Sequence, residues 1–233
     1  RKKIWQMIDK FKLFFDKNIF LRIVTGIFFI VPFVFFIING SYLFIFYFLL
    51  ILSILIEELN NMAIQKISLK LRFLLTSILI FSLFHFIFLR ISNDSNIVPY
   101  ILYIIFSIWI FDSFSLIGGK LIKGKKLIPV ISPNKTYSGF LVGLIFLFLF
   151  STLVIYMFNI SLLLMIGTLL IGVISFLGDA SESYLKRYLN IKDFSNLLPG
   201  HGGLLDRMDA FILIFFVHFI ILSLGIISID LYA

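Results

Sequence analysis

SGFLVGLIFLFLFSTLVIYMFNISLLLMIGTLLIGVISFLG, residues 138–178, holds no charged side chain. It divides near Asn159 into two apolar runs, 138–157 and 160–178. Each is long enough to cross a bilayer as a helix, which takes roughly 17–25 apolar residues. Five further runs have the same character: 20–38, 42–58, 71–89, 97–117 and 210–229, the second of them short. Backbone N–H and C=O groups cannot stay unpaired in hydrocarbon, and the alternation of a membrane barrel is absent, so these runs are read as helices. Composition agrees: 61% of the 233 residues are hydrophobic, 14% are charged, and the mean hydropathy is +1.12. A soluble domain has about 45–50% apolar and about 25% charged residues. The fold class is therefore all-α: a polytopic transmembrane protein of about seven spans. With no cysteine, disulfides, thiolate metal sites and cysteine nucleophiles are excluded.

Working outward from these runs, the basic residues set the topology. Residues 1–22 carry seven, 59–72 three, 118–137 five and 179–209 four, whereas the alternate connections carry only Arg90. The basic side is the cytoplasmic one, and the alternation supports the span count. The net charge of +8 is explained by this asymmetry and by anionic headgroups, with no need for nucleic acid. Residues 1–19 place Ile4, Ile8, Phe11 and Phe15 at helical spacing among lysines, the pattern of an amphipathic helix lying on the cytoplasmic surface. No cleavable signal peptide is expected, because the basic start runs into a full-length span. The chain is thus divided into the interfacial helix 1–19, N-terminal spans over 20–108, and a region 109–233 with loops 118–137 and 179–209 in which the chemistry is expected.

Three features are too polar for their surroundings. Asp112 lies two-thirds along the fourth span, where an aspartate costs about 2.5–3.5 kcal/mol on insertion scales, so it should face a polar cavity or partner. The loop 118–137 has Gly118, Gly119 and Gly124 for tight turns, and Ser132, Asn134, Lys135 and Thr136 just before a span. Backbone N–H groups at a helix start beside a lysine suit a phosphate; Lys123, Lys125 and Lys126 read as membrane-surface charges. The third feature is 183–209, with seven charged residues and a Pro-Gly-His-Gly-Gly turn at 199–203. If 179–189 is helical, Asp179, Ser183, Lys186 and Arg187 share one face. Asp206 and Asp209 sit three apart on a helix entering the last span. Carboxylates brought together repel by about a few kcal/mol per close pair at an effective dielectric of about 20. Either one is protonated, or a cation lies between them, or they form salt bridges at helix ends. All-oxygen ligation favours a hard ion, most simply Mg²⁺, and Lys135, Lys186, Arg187 and Arg207 suit phosphate.

The stretch Ser183-x-Leu185-Lys186-Arg187-x4-Lys192-Asp193-x-Ser195-x2-Leu198-Pro199-x-His201-Gly202-Gly203-Leu204-x-Asp206-Arg207-Met208-Asp209 resembles the signature of the phosphatidate cytidylyltransferases, the CDP-diacylglycerol synthases, with every fixed position filled. Leu177-Gly178-Asp179, Ser132 to Thr136, and Asp112-Ser113 followed by Gly119-Lys120 are similar to the family as well. The likeness covers about residues 109–210. Between Asp112 and Gly119 the family commonly has a small residue followed by tyrosine, where this chain has Ser115 and Leu116. The resemblance implies an integral enzyme of the bacterial inner membrane, its N-terminus and site cytoplasmic, joining CTP to phosphatidic acid with release of pyrophosphate. It further implies Asp179 and Asp206 as Mg²⁺ ligands with Asp209 next, Lys186 and Arg187 on phosphate, and His201, Gly202 and Gly203 around the triphosphate. Ser132, Lys135 and Thr136 would close the site, Asp112 would line it, and Ser183, Lys192 and Arg207 complete the substrate-binding set. Room is left for a second, monovalent cation and for a homodimer.

Two other functions stay in view: a CTP-dependent polyprenol or phytol kinase, which would release CDP, and a cation-coupled transporter, disfavoured by the absence of a repeat. His85 and His218 are expected to serve structural hydrogen bonds, Glu57 and Glu58 to snorkel or cap, Trp5 to anchor at the interface and Trp109 to pack.

Overall fold

The computed structural model describes residues 17–40, 42–92, 96–198 and 202–224, with seven helices and one small hairpin among them. The interfacial helix expected over 1–19 lies largely outside these residues. In chain order the helices are α1 (Lys17–Asn39), α2 (Tyr42–Lys66), α3 (Leu69–Ile91), α4 (Ile97–Leu121), α5 (Tyr137–Phe158), α6 (Leu163–Leu189) and α7 (Leu205–Ser223). Strands β1 (Lys126–Ile128) and β2 (Ser132–Thr136) lie between α4 and α5. Five helices, α2 through α6, are long and apolar enough to cross a membrane. Helix α7 carries its charged residues, Asp206, Arg207 and Asp209, near its start and is mostly apolar from Ala210 onward. The expected helical class holds, and each expected run coincides with one helix as far as it is described.

Helix ends follow local chemistry. Ser68 caps α3 by accepting from Leu71 N–H (3.3 Å), and Thr136 caps α5 by accepting from Gly139 N–H (3.1 Å). Asn159 and Asn190 close α5 and α6 in the left-handed region, at φ 52° and 55°. Arg90 donates to the carbonyls of Ile37 (2.5 Å) and Ile38 (3.0 Å) and so finishes the C-terminus of α1.

The loop 118–137 is the principal correction. Helix α4 continues through Gly118 and Gly119 instead of turning there. These glycines serve close helix packing: a Cβ on Gly118 would lie 2.6 Å from Val142 Cβ, and one on Gly139 would collide with Ser115 O. Of the three glycines expected to turn, Gly124 alone does so, at φ +114°. The hairpin that follows pairs Lys126 with Thr136 and Ile128 with Ser132 in antiparallel register.

The core is aromatic and central. Phe33, Phe44, Phe48, Phe86, Phe211 and Phe215 are buried and meet ring to ring, with Phe86 4.9 Å from Phe215 and Phe33 5.8 Å from Phe211. Helix α7 thereby packs into the middle of the molecule, against α3 on one side and α6 on the other. The outer faces of α5 and α6 expose Leu141, Ile145, Leu149, Ile166 and Leu170, as lipid-facing helices do.

Candidate functional site

The site begins with a close approach of two backbones. A Cβ on Gly178 would lie 2.9 Å from Ala210 Cα and 3.1 Å from Asp209 O, so only glycine lets α6 and α7 meet there. The contact sets Asp179 beside Asp209. Helix α6 runs on to Leu189, as expected, and adds Glu182 one turn after Asp179. Asp179, Glu182 and Asp209 each offer a carboxylate oxygen, all within 4.8 Å of one another.

Two lysines border this cluster. Lys135, delivered by β2, stands 2.7 Å from Asp179 Oδ2, donates to Phe176 O (3.3 Å) and lies 4.5 Å above the Phe176 ring. Lys186 Nζ is 2.6 Å from Glu182 Oε1 and 3.0 Å from Asp206 Oδ1. Arg187 Nε reaches Ile131 O at 3.4 Å and ties the hairpin to the end of α6. Deeper in the bundle, Ser175 Oγ donates to Asp112 Oδ1 (2.9 Å), one turn below Asp179. The partner expected for Asp112 is therefore a serine on α6.

Asp206 has a different environment from the other carboxylates. It accepts from Gly203 N–H (2.7 Å), Phe194 N–H (3.0 Å to Oδ2) and Lys186. Burial alone would raise its pKa, but the hydrogen-bonding of the Glu182 carboxyl, together with these donors, outweighs burial and holds the carboxyl below its ordinary range. Asp206, expected beside Asp209 on a metal, holds the loop that precedes α7 and lies outside the group of three converging carboxylates. The turn glycines are similarly committed. Gly202, at φ +85°, donates its N–H to Leu198 O (3.1 Å), while Gly203 donates to Asp206. Both N–H groups of the expected triphosphate cradle are thus engaged within the loop itself.

The other expected residues fall as follows. Thr136 is buried with its hydroxyl on the α5 cap; Ser132 is half-buried on β2, and Ser183 half-buried on α6. Lys192 and Arg207 are exposed, and His201 lies outside the described residues. Two residues went unrecognised as part of this site. Glu182 carried a legible signal, standing three residues after Asp179 on the same helical face. Glu58 carried none in sequence beyond its expected capping role. It is 6% exposed, and accepts from Ser195 Oγ (2.5 Å), Leu204 N–H (2.9 Å) and Leu205 N–H (2.8 Å).

Chemically, three carboxylates at one point suit a hard cation held through oxygen. Two lysines at the same point, each partly buried, suit phosphate oxygens. Small residues and a short strand hold all five groups on rigid elements.

Comparison with known proteins gives a consistent result. A family model described as the cytidylyltransferase family matches residues 65–224. The phosphatidate cytidylyltransferase of Rickettsia felis is 36% identical over 206 residues, 84% of this chain and 89% of the relative. That of Rickettsia typhi is 37% identical over 207 residues, with the same coverage. That of Staphylococcus haemolyticus is 40% identical over 126 residues, 53% of this chain and 48% of the relative.

Proposed function

Because this chain belongs to the cytidylyltransferase family, we propose that it is an integral-membrane enzyme making CDP-diacylglycerol and pyrophosphate from CTP and phosphatidic acid. The observation that carries the reading is the meeting of Asp179, Glu182 and Asp209 with Lys135 and Lys186 at one end of the bundle. That end bears nearly all the basic residues, so it is read as cytoplasmic, where CTP is.

In the reaction, an oxygen of the lipid phosphate forms a bond to the α-phosphorus of CTP. The bond from that phosphorus to the bridging oxygen breaks, and pyrophosphate leaves with the electron pair. Both reactants are anions, so the work is to bring them into line and neutralise them. The carboxylates of Asp179, Glu182 and Asp209 fit Mg²⁺ by chemistry and by spacing. When bound there, the ion would supply charge neutralisation to phosphate oxygens. Lys186 bridges the cluster and Asp206, so its ammonium is fixed where a phosphate can meet it. Lys135 neutralises Asp179 and is the second phosphate donor, with Arg187 at the rim. No general base is required, since phosphatidate is ionised near neutral pH. Asp112, next to the cluster but at membrane depth, faces the side from which the lipid arrives.

The test is incubation of purified protein in detergent with phosphatidic acid, Mg²⁺ and CTP labelled in its α-phosphate. Label in the lipid with equal release of pyrophosphate, both abolished by EDTA and by Asp209→Asn, is the expected result. Release of CDP with no labelled lipid would replace the reading with a kinase.

A further inference from the structure

Glu58 belongs to α2, before the segment that the family model matches, yet it reaches the loop and helix that carry Asp206 and Asp209. Helix α7 is preceded at the cap position by Leu204, whose side chain offers no acceptor, so its leading N–H groups have no cap of their own. Asp206 accepts from Gly203 N–H, and Glu58 accepts from the next two, Leu204 and Leu205. The helix is thus capped in trans by a carboxylate from a distant segment, at the end where the helix dipole favours negative charge.

The same carboxylate binds the preceding loop. Oε1 accepts from Ser195 Oγ at 2.5 Å, and Ser195 Oγ in turn accepts from Leu197 N–H at 3.1 Å. Gly203 leaves the space for this: a Cβ there would lie 3.0 Å from both Glu58 Oε1 and Ser195 N. One buried side chain therefore joins α2, the 194–198 loop and the first turn of α7. Leu205 and Asp209 are one helical turn apart, so the hydrogen bond at Leu205 sets the height of Asp209 against Asp179.

We propose that Glu58 is a positioning residue for nucleotidyl transfer: it sets the depth and rotation of α7, and so whether Asp209 meets Asp179 and Glu182. The inference rests on the activity proposed above. Reacting groups displaced by about 1 Å can lose about 10²-fold in rate, and supporting residues around a metal centre typically account for about 10–100-fold. Replacement of Glu58 should therefore lower kcat while leaving the KM for phosphatidic acid nearly unchanged.

The experiment compares wild type, Glu58→Gln, Glu58→Asp and Ser195→Ala in the full chain. For each it measures kcat, both KM values, the melting temperature, and hydrogen exchange at Leu204 and Leu205. Wild type without labelled lipid would refute the activity itself and is read first. Given an active wild type, Glu58→Gln keeps one acceptor oxygen and loses the other. It should reduce kcat about 10-fold or more, with the KM for phosphatidic acid within about threefold and faster exchange at Leu205. Glu58→Asp keeps both oxygens on a shorter stem and should regain part of the lost kcat. Wild-type kcat in folded Glu58→Gln, or a loss that vanishes once corrected for the folded fraction, would overturn the proposal. If neither Glu58 variant folds, Ser195→Ala decides: a kcat at least about threefold below wild type supports it, and wild-type kcat overturns it.

Discussion

Asp206 and Asp209 are three residues apart in one helical turn, and their surroundings separate their roles. The Asp206 side chain is 3% exposed and accepts from a lysine and two backbone N–H groups. Asp209 stands against two other carboxylates. Charge-assisted hydrogen bonds are worth about 1.5–3 kcal/mol each, whereas clustered like charges destabilise until a cation joins them. Asp206→Asn should therefore lower the melting temperature in metal-free buffer along with turnover. Asp209→Asn should abolish turnover, by at least about 100-fold, and leave the metal-free melting temperature equal or higher. Parallel melting curves and turnover assays check the pair; equal thermal losses in both variants would erase the distinction. Sequence spacing could find both residues, because acidic groups between apolar runs stand out. It could not separate them, because the difference lies in Lys186, Phe194 and Gly203, which the fold brings to one residue and not to its neighbour.

Among the elements, the α6–α7 contact at Gly178 places the chemistry. A Cβ there meets the backbone of Ala210, which cannot rotate aside, and overpacking of this kind costs about 1–3 kcal/mol. Gly178→Ala should push the helices apart beside Asp179 and lower kcat about 10-fold. Gly167, on the same helix, has nothing within 4 Å of the corresponding position. Gly167→Ala should leave kcat unchanged and raise stability, by up to about 1 kcal/mol, through helix propensity. Turnover and melting of the two variants test this, and a similar effect from both would remove the packing argument. The helices themselves were legible, since length and hydropathy decide them. Gly118 and Gly119 were misread because a glycine that permits a turn and one that permits a close helix pair look alike in sequence. The hairpin was missed because Lys126–Ile128 and Ser132–Thr136 are too short to show an alternating pattern.

At the scale of the whole molecule, α7 joins the helices before it to those around the site. Along its length, His218 Nδ1 lies 2.7 Å from His85 Nε2 on α3, and His218 Nε2 lies 2.8 Å from the Tyr100 hydroxyl on α4. The expectation that these histidines serve structural hydrogen bonds is met by each other. A buried polar group that loses its partner costs about 1–3 kcal/mol, while replacing both partners is nearly neutral. His85→Leu and His218→Leu should each lower the melting temperature, and the double variant should fall by less than the sum. Additive losses would mean that the two rings share no bond. The central place of α7 also has a consequence for synthesis. Ribosomes deliver this helix after every other one described here, so Asp209 reaches Asp179 and Glu182, and Leu204 and Leu205 reach Glu58, only once it arrives. A polypeptide released after α6 would sit in the bilayer without Asp209 and, on the reading proposed above, could not consume nucleotide. On that reading, competence is withheld until the membrane-insertion machinery has placed α7 among its neighbours.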